Sequence, residues 1–146
     1  MAEVTVTETD GGWTFRFADG RITQLRVDHG LSLVLAGGAL IVLEAAFTLT
    51  RPDGTSELVP PGDVVHEVGA ALPLFDRVVS EAHAPREGGL RVELVDGHVL
   101  LVAEAHPQWE TWQLVAPDGE QWVGAPGGGV TWYPPGQTTG VMRPGS

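Results

Sequence analysis

The chain has 146 residues and a formal net charge of −11, with 19 acidic residues and 8 basic residues that are all arginine. This balance disfavours binding to nucleic acid or to anionic membranes, whose phosphate groups need a basic protein surface. The absence of cysteine excludes disulfides and thiolate metal sites. A hydrophobic fraction of 42% in a chain of this length is enough for the core of one domain.

Turn signals divide most of the chain into short segments. Asp-Gly pairs, which suit the tight turns between antiparallel strands, occur at 10–11, 19–20, 53–54, 96–97 and 118–119. The apolar segments between the turns predict a mainly β fold, either an antiparallel β-barrel or a β-sandwich. We expect strands at 13–17, 21–27, 31–36, 39–50, 56–59, 76–83, 90–95, 98–105, 109–116, 120–123 and 129–133.

One short helix is predicted between these strands, at about 63–72. Asp63 can cap its first turn, and Pro73 ends the run of apolar residues at helical spacing. We therefore expect a single β-rich domain over 1–133. The tail 134–146 holds Pro and Gly without periodicity and is predicted to be loose.

The chain contains an internal repeat, which predicts two similar β-units. Residues 31–54 and 90–119 both read as alternating apolar residues, a glycine turn, a longer apolar strand and Pro-Asp-Gly, and the full repeat spans 19–62 and 76–127. Leu31 and Leu90 are 59 residues apart, whereas Pro52 and Pro117 are 65 apart. The six extra residues fall around 106–109, and they mark either a site of added function or a β-bulge.

The N-terminus offers neither a basic segment nor an apolar signal-peptide core. No apolar run approaches the ~20 residues that a membrane-spanning helix needs. A cytoplasmic location is the expectation.

Two carboxylates are candidates for acid–base catalysis. Glu44 interrupts the apolar run from Ala39 to Leu49, and on an apolar strand face its carboxylate would be partly desolvated, with raised proton affinity. Glu110 is the second candidate, since it lies beside tryptophans that could wall a pocket. The alternatives are a solvent-open strand face or an ion pair with arginine.

Four tryptophans are candidate binding residues: Trp109, Trp112, Trp122 and Trp132. Gathered at one end of the fold, they could wall a ligand pocket or anchor a protein interface, and they could equally fill the core. Trp112 aligns with Phe47 of the first repeat, which favours the core. Trp109 lies at or beside the extra residues and is the better interface candidate.

His106, within the extra residues, joins the candidate binding residues. A loose set of His98, Glu104 and His106 matches no compact metal motif, so no metal is predicted, and His98 is expected to be exposed beside its turn. No serine lies in a Gly-x-Ser-x-Gly elbow, and the glycine run at 127–129 lacks the lysine and helix of a phosphate loop. No cofactor is predicted.

Three short motifs stand out along the chain: Leu43-Glu44-x-x-Phe47-x-Leu49, Trp109-Glu110-x-Trp112-x-Leu114 followed by Pro117-Asp118-Gly119, and Pro126-Gly127-Gly128 before Trp132. They resemble a family of small uncharacterised β-rich domains of high-GC, actinobacteria-type genomes. The resemblance implies a β-rich fold over about residues 13–133 and implies no catalytic residue.

Two functions are consistent with these features. The first is a non-catalytic acidic binding protein, such as an immunity-type or accessory protein, that binds a protein partner. The acidic charge is compatible with a basic partner. The alternative is a small β-barrel enzyme or carrier, in which Trp109, Trp112 and Trp122 line a lumen for an apolar small molecule and Glu44 or Glu110 transfers a proton. A homo-oligomer through the apolar strand 39–50 is a further possibility.

Overall fold

The computed structural model describes residues 4–28, 30–60 and 69–135, which form thirteen strands and one 3₁₀ helix. The strands are β1 (Val4–Thr9), β2 (Gly12–Phe17), β3 (Ile22–Val27), β4 (Leu31–Leu35), β5 (Leu40–Leu43), β6 (Phe47–Thr50), β7 (Ser56–Val59), β8 (Val79–Pro85), β9 (Leu90–Leu94), β10 (Val99–Val102), β11 (Trp112–Val115), β12 (Gln121–Gly124) and β13 (Val130–Tyr133). The 3₁₀ helix spans Gly69–Leu74, between β7 and β8. The prediction of a mainly β fold is confirmed.

The strands form two antiparallel sheets. The seven-stranded sheet has the order β1-β2-β8-β9-β10-β6-β7, and the six-stranded sheet has the order β13-β12-β11-β5-β4-β3. Buried side chains of both sheets belong to one hydrophobic cluster. Phe15 of the larger sheet, for example, makes edge contacts with Trp112 and Trp122 of the smaller sheet, at ring-centroid distances of 6.0 and 5.5 Å.

Apolar alternation explains which faces of β4 and β9 point into this core. The alternating residues of both strands are at most 4% exposed: Leu31, Leu33, Leu35, Leu90, Val92 and Leu94. Successive side chains of a strand point to opposite faces, so Arg91, between Leu90 and Val92, lies in solvent. The alternation therefore indicates which face of β4 and of β9 is buried, and a shift of either strand by one residue would expose that face.

Residues 22–59, here called the first half, and residues 79–124, the second half, have matching strand pairs. In the β4–β5 hairpin Leu31 pairs with Leu43, and in the β9–β10 hairpin Leu90 pairs with Val102. After each hairpin the chain crosses to the other sheet, where it forms the β6–β7 or the β11–β12 hairpin. Each half therefore contributes three strands to one sheet and two to the other.

A bulge occurs at the same place in each half. The register shifts after Ile22 in β3 and after Val79 in β8. At the bulge, the Thr23 hydroxyl donates to the carbonyl of Val34 (3.2 Å), and the Ser80 hydroxyl donates to the carbonyl of Glu93 (2.9 Å). The starts of β3 and β8 also bond to each other, through the isolated bridge between Arg21 and Val78.

The predicted single strand over 39–50 is wrong, because the chain leaves one sheet and enters the other within it. β5 lies between β4 and β11, while β6 lies between β7 and β10. Although the run is apolar on both faces, only alternate residues such as Ile41 and Leu43 are buried in the core, whereas Leu40 and Val42 are half-buried. Both strands are paired on each side, so neither has a free edge at which a second copy of the chain could add a strand.

One missed strand and two further predictions concern the periphery of the fold. Strand β1 was not predicted, because its apolar residues, Val4 and Val6, are separated by threonines and followed by Glu8. The predicted helix at 63–72 lies outside the described residues up to residue 68, and its last residues belong to the 3₁₀ helix. The predicted loose tail lies outside the described residues from 136 onward. The described residues include no helix with the length and apolar character needed to cross a bilayer.

Candidate functional site

The two halves differ most where the chain crosses between the sheets. In the first half three residues, 44–46, connect β5 to β6, and we call them the short corner. In the second half nine residues, 103–111, connect β10 to β11, and we call them the long corner. The two corners touch, since the backbone N–H of Glu44 donates to the carbonyl of Thr111 (2.9 Å). The six extra residues predicted from the repeat lie in the long corner.

An aromatic pair projects from the long corner. Trp109 is 60% exposed, and its ring stacks on His106 with a centroid distance of 4.1 Å and an interplanar angle of 11°. The backbone N–H of Gln108 donates to Nδ1 of His106 (3.0 Å), which leaves the ring proton of the neutral imidazole on Nε2. The carbonyl of His106 accepts from the N–H of Gly127 (2.9 Å). Trp109 is therefore exposed, and the half-buried His106 holds it in place.

Two carboxylates lie beside this pair. Glu44 and Glu110 line a cavity of about 440 Å³ together with Trp109. Partial burial, and after it the negative charge of Glu44, raise the pKa of Glu110. Gln113 donates to Oε1 of Glu44 (2.7 Å) and accepts from Gln121 (2.8 Å). An amide network thus positions Glu44 without neutralising its charge.

Of the alternatives for Glu44, the structure has the solvent-open position and not the desolvated carboxylate. β5 ends at Leu43, so Glu44 lies at the start of the short corner and is exposed. The carboxyl group with the raised pKa is Glu110, on the long corner. The apolar run around Glu44 indicated a buried strand face, but the run is interrupted by the crossing.

A second cavity, of about 320 Å³, lies between the two corners. Small side chains form much of its wall, among them Ala46 and Ala103, and His106 and Thr111 also contribute. Thr111 is 4% exposed, and its hydroxyl oxygen has no hydrogen-bond partner among the described residues. Sequence reasoning did not single out Thr111, because a threonine between two tryptophans gives no signal of burial.

The candidate tryptophans occupy three different environments. Trp112 is 1% exposed and lies in the core, as its alignment with Phe47 favoured. Trp122 and Trp132 line a separate cleft with Trp13, which was not a candidate. Trp109, Trp112 and Trp122 therefore do not line one lumen.

The loose metal set is not assembled either. His98 was expected to be exposed, but it is 8% exposed, and its Nδ1 lies 2.9 Å from both carboxylate oxygens of Asp96. Burial tends to raise the pKa of Asp96, but the hydrogen bonds with His98 and the charges of His98 and Arg77 together outweigh burial and lower it. Across residues 4–28, 30–60 and 69–135, no three His, Asp or Glu side chains could hold a metal ion together.

Charge is distributed unevenly over the chain. No basic residue occurs between Arg91 and Arg143. Six arginines make ion pairs with carboxylates: Arg16, Arg21, Arg51, Arg77, Arg86 and Arg91. Within the described part of the chain, no arginine pairs with Glu44, Glu104 or Glu110. The surface around the long corner consequently keeps its negative charge.

A family model described as "Family of unknown function (DUF6188)" matches residues 13–133, a span that contains both corners. No curated protein and no solved structure matches the chain.

Proposed function

Because the chain belongs to DUF6188, a family of unknown function, we propose its role from the site itself: a non-catalytic acidic binding protein with a basic protein partner. It would act as an immunity-type or accessory protein. The observation that carries the proposal is the exposed Trp109, fixed against His106 and bordered by carboxylates that no described arginine neutralises.

The aromatic pair supports an interface anchor. Tryptophan is enriched among the few residues that carry most of the binding energy of protein interfaces. A ring already held by stacking loses little conformational entropy when a partner covers it. Trp109 is exposed yet ordered by His106, so it fits this role better than a core role.

The charges support a basic partner. Glu44, Glu104 and Glu110 surround the pair, and the chain from residue 92 to residue 142 contains no basic residue. Opposite charges across an interface raise the association rate and select among partners. A basic partner would satisfy these carboxylates, whereas an acidic partner would be repelled.

The alternative function, a small β-barrel enzyme or carrier, is supported by the properties of Glu110. Its raised pKa and its place in a cavity of about 290 Å³ with Gln113 and Gln121 are features of an acid–base residue. The exposure of Glu44 and the core position of Trp112 weigh against the lumen that this alternative requires. Binding is therefore the function proposed.

The experiment is affinity capture from the native host with three baits: the wild type, Trp109→Ala, and Leu58→Ala as a matched control. Leu58 is 68% exposed and lies on β7, outside both corners. We expect the wild type and Leu58→Ala to retain the same basic protein in stoichiometric amount. We expect Trp109→Ala to lose at least about tenfold in affinity, since an interface anchor contributes about 2 kcal/mol or more.

Two outcomes would contradict the proposal. One is the absence of any stoichiometric partner. The other is a partner that Trp109→Ala binds as tightly as the wild type does. A cytoplasmic location is part of the same proposal, and a fusion to a fluorescent reporter in the host tests it.

We further infer that the two halves are duplicates of one β-unit and that the two sheets form a sandwich. Matching hairpin registers and matching bulges support the duplication. Two separate sheets that share one hydrophobic cluster support a sandwich.

A further inference from the structure

A cleft of about 450 Å³ lies between the outer strands of the two sheets, apart from the long corner. Trp13 of β2, Trp122 of β12 and Trp132 of β13 line it, together with three valines. The β1–β2 hairpin and β13 have no counterparts among the strands of the first half. In the second half β8 pairs with β2, and β12 pairs with β13. The corresponding strands of the first half, β3 and β7, are the last strands of their sheets. The cleft is thus formed largely by strands that lie outside the matching units.

Two carboxylates also line the cleft, and their charges are not equivalent. Glu8 is neutralised by Arg86, whose Nη2 donates to Oε2 of Glu8 (2.8 Å). Glu120 accepts from the indole N–H of Trp132 (2.8 Å), a neutral donor that leaves the negative charge in place. The same bond fixes the orientation of the Trp132 ring.

One of the cleft tryptophans, Trp13, already interacts with a cation. The guanidinium carbon of Arg86 lies 4.7 Å from the centroid of the Trp13 ring, a cation–π distance. A cation inside the cleft would meet indole rings and the free charge of Glu120 together. An aromatic wall with one carboxylate that no described arginine neutralises is complementary to a single positive charge on an apolar body.

We propose that this cleft binds a small monovalent organic cation that carries an apolar or aromatic body. The indoles of Trp13 and Trp132, which are the more accessible ones, cover the apolar body and the positive charge, and Glu120 selects the cation over a neutral molecule. The cleft is of the size that encloses small ligands. This site is separate from the long corner, so its ligand does not depend on the proposed protein partner.

Isothermal titration of the full chain with benzyltrimethylammonium tests the proposal, and neutral benzyl alcohol, which shares the aromatic body without the cationic group, is titrated for comparison. We expect the cation to bind at least about tenfold more tightly than the alcohol, since only the cation is attracted by the indole faces and by the charge of Glu120. Glu120→Gln should weaken cation binding about fivefold or more, because it removes the charge and keeps an oxygen that can accept from Trp132. Trp132→Ala should weaken it about tenfold.

Trp109→Ala is the control, because it removes an exposed tryptophan outside the cleft. We expect it to bind the cation as the wild type does, even though the proposed protein partner would be lost. Circular dichroism verifies that each variant is folded, and Glu120→Gln changes too little volume to disturb packing. Equal binding of the alcohol and the cation, or an undiminished affinity in folded Glu120→Gln, would overturn the proposal.

Discussion

The short and long corners connect equivalent strand ends but present different surfaces. The short corner, 44–46, consists of one glutamate and two alanines, which lie close to the adjoining strands. The long corner, 103–111, makes the same crossing and adds a stacked aromatic pair and two further glutamates. The fold therefore does not require the additional residues, and this is the reason for assigning them to binding.

A second difference between the halves lies in the hydrophobic core. Phe47 of β6 pairs across the strands with Val59 of β7. At the equivalent place in the second half, the larger Trp112 lies against Gly124, and a Cβ atom on Gly124 would collide with the indole ring. The larger aromatic ring and the missing side chain compensate each other, so both halves keep a filled core.

The largest effect is predicted for a substitution that removes this compensation. Gly124→Val should destabilise the protein by about 3 kcal/mol, because the added side chain overlaps the Trp112 ring in a packed interior. The double variant Gly124→Val with Trp112→Phe reproduces the first-half pair and should recover more than about 1 kcal/mol. Urea unfolding of the single and double variants measures both values. Purely additive losses would contradict the equivalence of the two positions.

A smaller effect is expected where the corners meet. Thr111 corresponds to Ala46 of the short corner, and its buried hydroxyl lacks a hydrogen-bond partner among the described residues. Thr111→Val keeps the shape and removes the unsatisfied group, so we expect stabilisation by about 1 kcal/mol. Thermal unfolding measures it, and Thr111→Ser, which keeps the hydroxyl, is the control. Destabilisation by Thr111→Val would show that the hydroxyl has a partner in solution.

We expect equal losses of stability when the side-chain hydrogen bond is removed from either of the two matching bulges. Thr23→Val and Ser80→Ala each remove one hydroxyl-to-carbonyl hydrogen bond at the same place of the two halves. Each should cost about 0.5 to 1 kcal/mol, and the costs should add in the double variant because the two bonds are separate. Urea unfolding compares the three variants. A loss confined to one half would indicate that the bulges are held differently.

The smallest predicted effect depends on pH and concerns Glu110. Its pKa is raised on folding, so the folded state holds its proton more tightly and stability decreases as the pH rises through that pKa. Glu110→Gln should therefore stabilise at neutral pH, by less than about 0.5 kcal/mol because the group is largely open to solvent. The gain should vanish below the unfolded pKa of glutamate. Unfolding at several pH values checks this, and a gain that grows on acidification would contradict it.

Much of the fold followed from the sequence because alternation and turn residues act locally. The alternating leucines of β4 and β9 indicated which side chains are buried, and the Asp-Gly pairs indicated the turns. The crossing inside 39–50 could not be found in this way, because alanines fit a strand and a corner equally well. Strand β1 was missed because only two of its residues are apolar.

The site was predictable in part. The mismatch between the repeat offsets indicated the long corner and singled out Trp109 and His106, although their stacking depends on backbone geometry. The cleft with Trp13 could not be predicted, because it depends on which strands of the two sheets lie near each other. The raised pKa of Glu110 depends likewise on tertiary burial and on the nearby charge of Glu44.

The most direct test of the account is the affinity of the captured protein partner for a chain in which residues 103–111 are replaced by Glu-Ala-Ala, the sequence of the short corner. The account predicts a folded protein, since the first half makes the same crossing with three residues. It also predicts a loss of at least about 100-fold in affinity, since several interface contacts are removed together. A folded variant that binds the partner with the affinity of the wild type would contradict the assignment of function to the long corner.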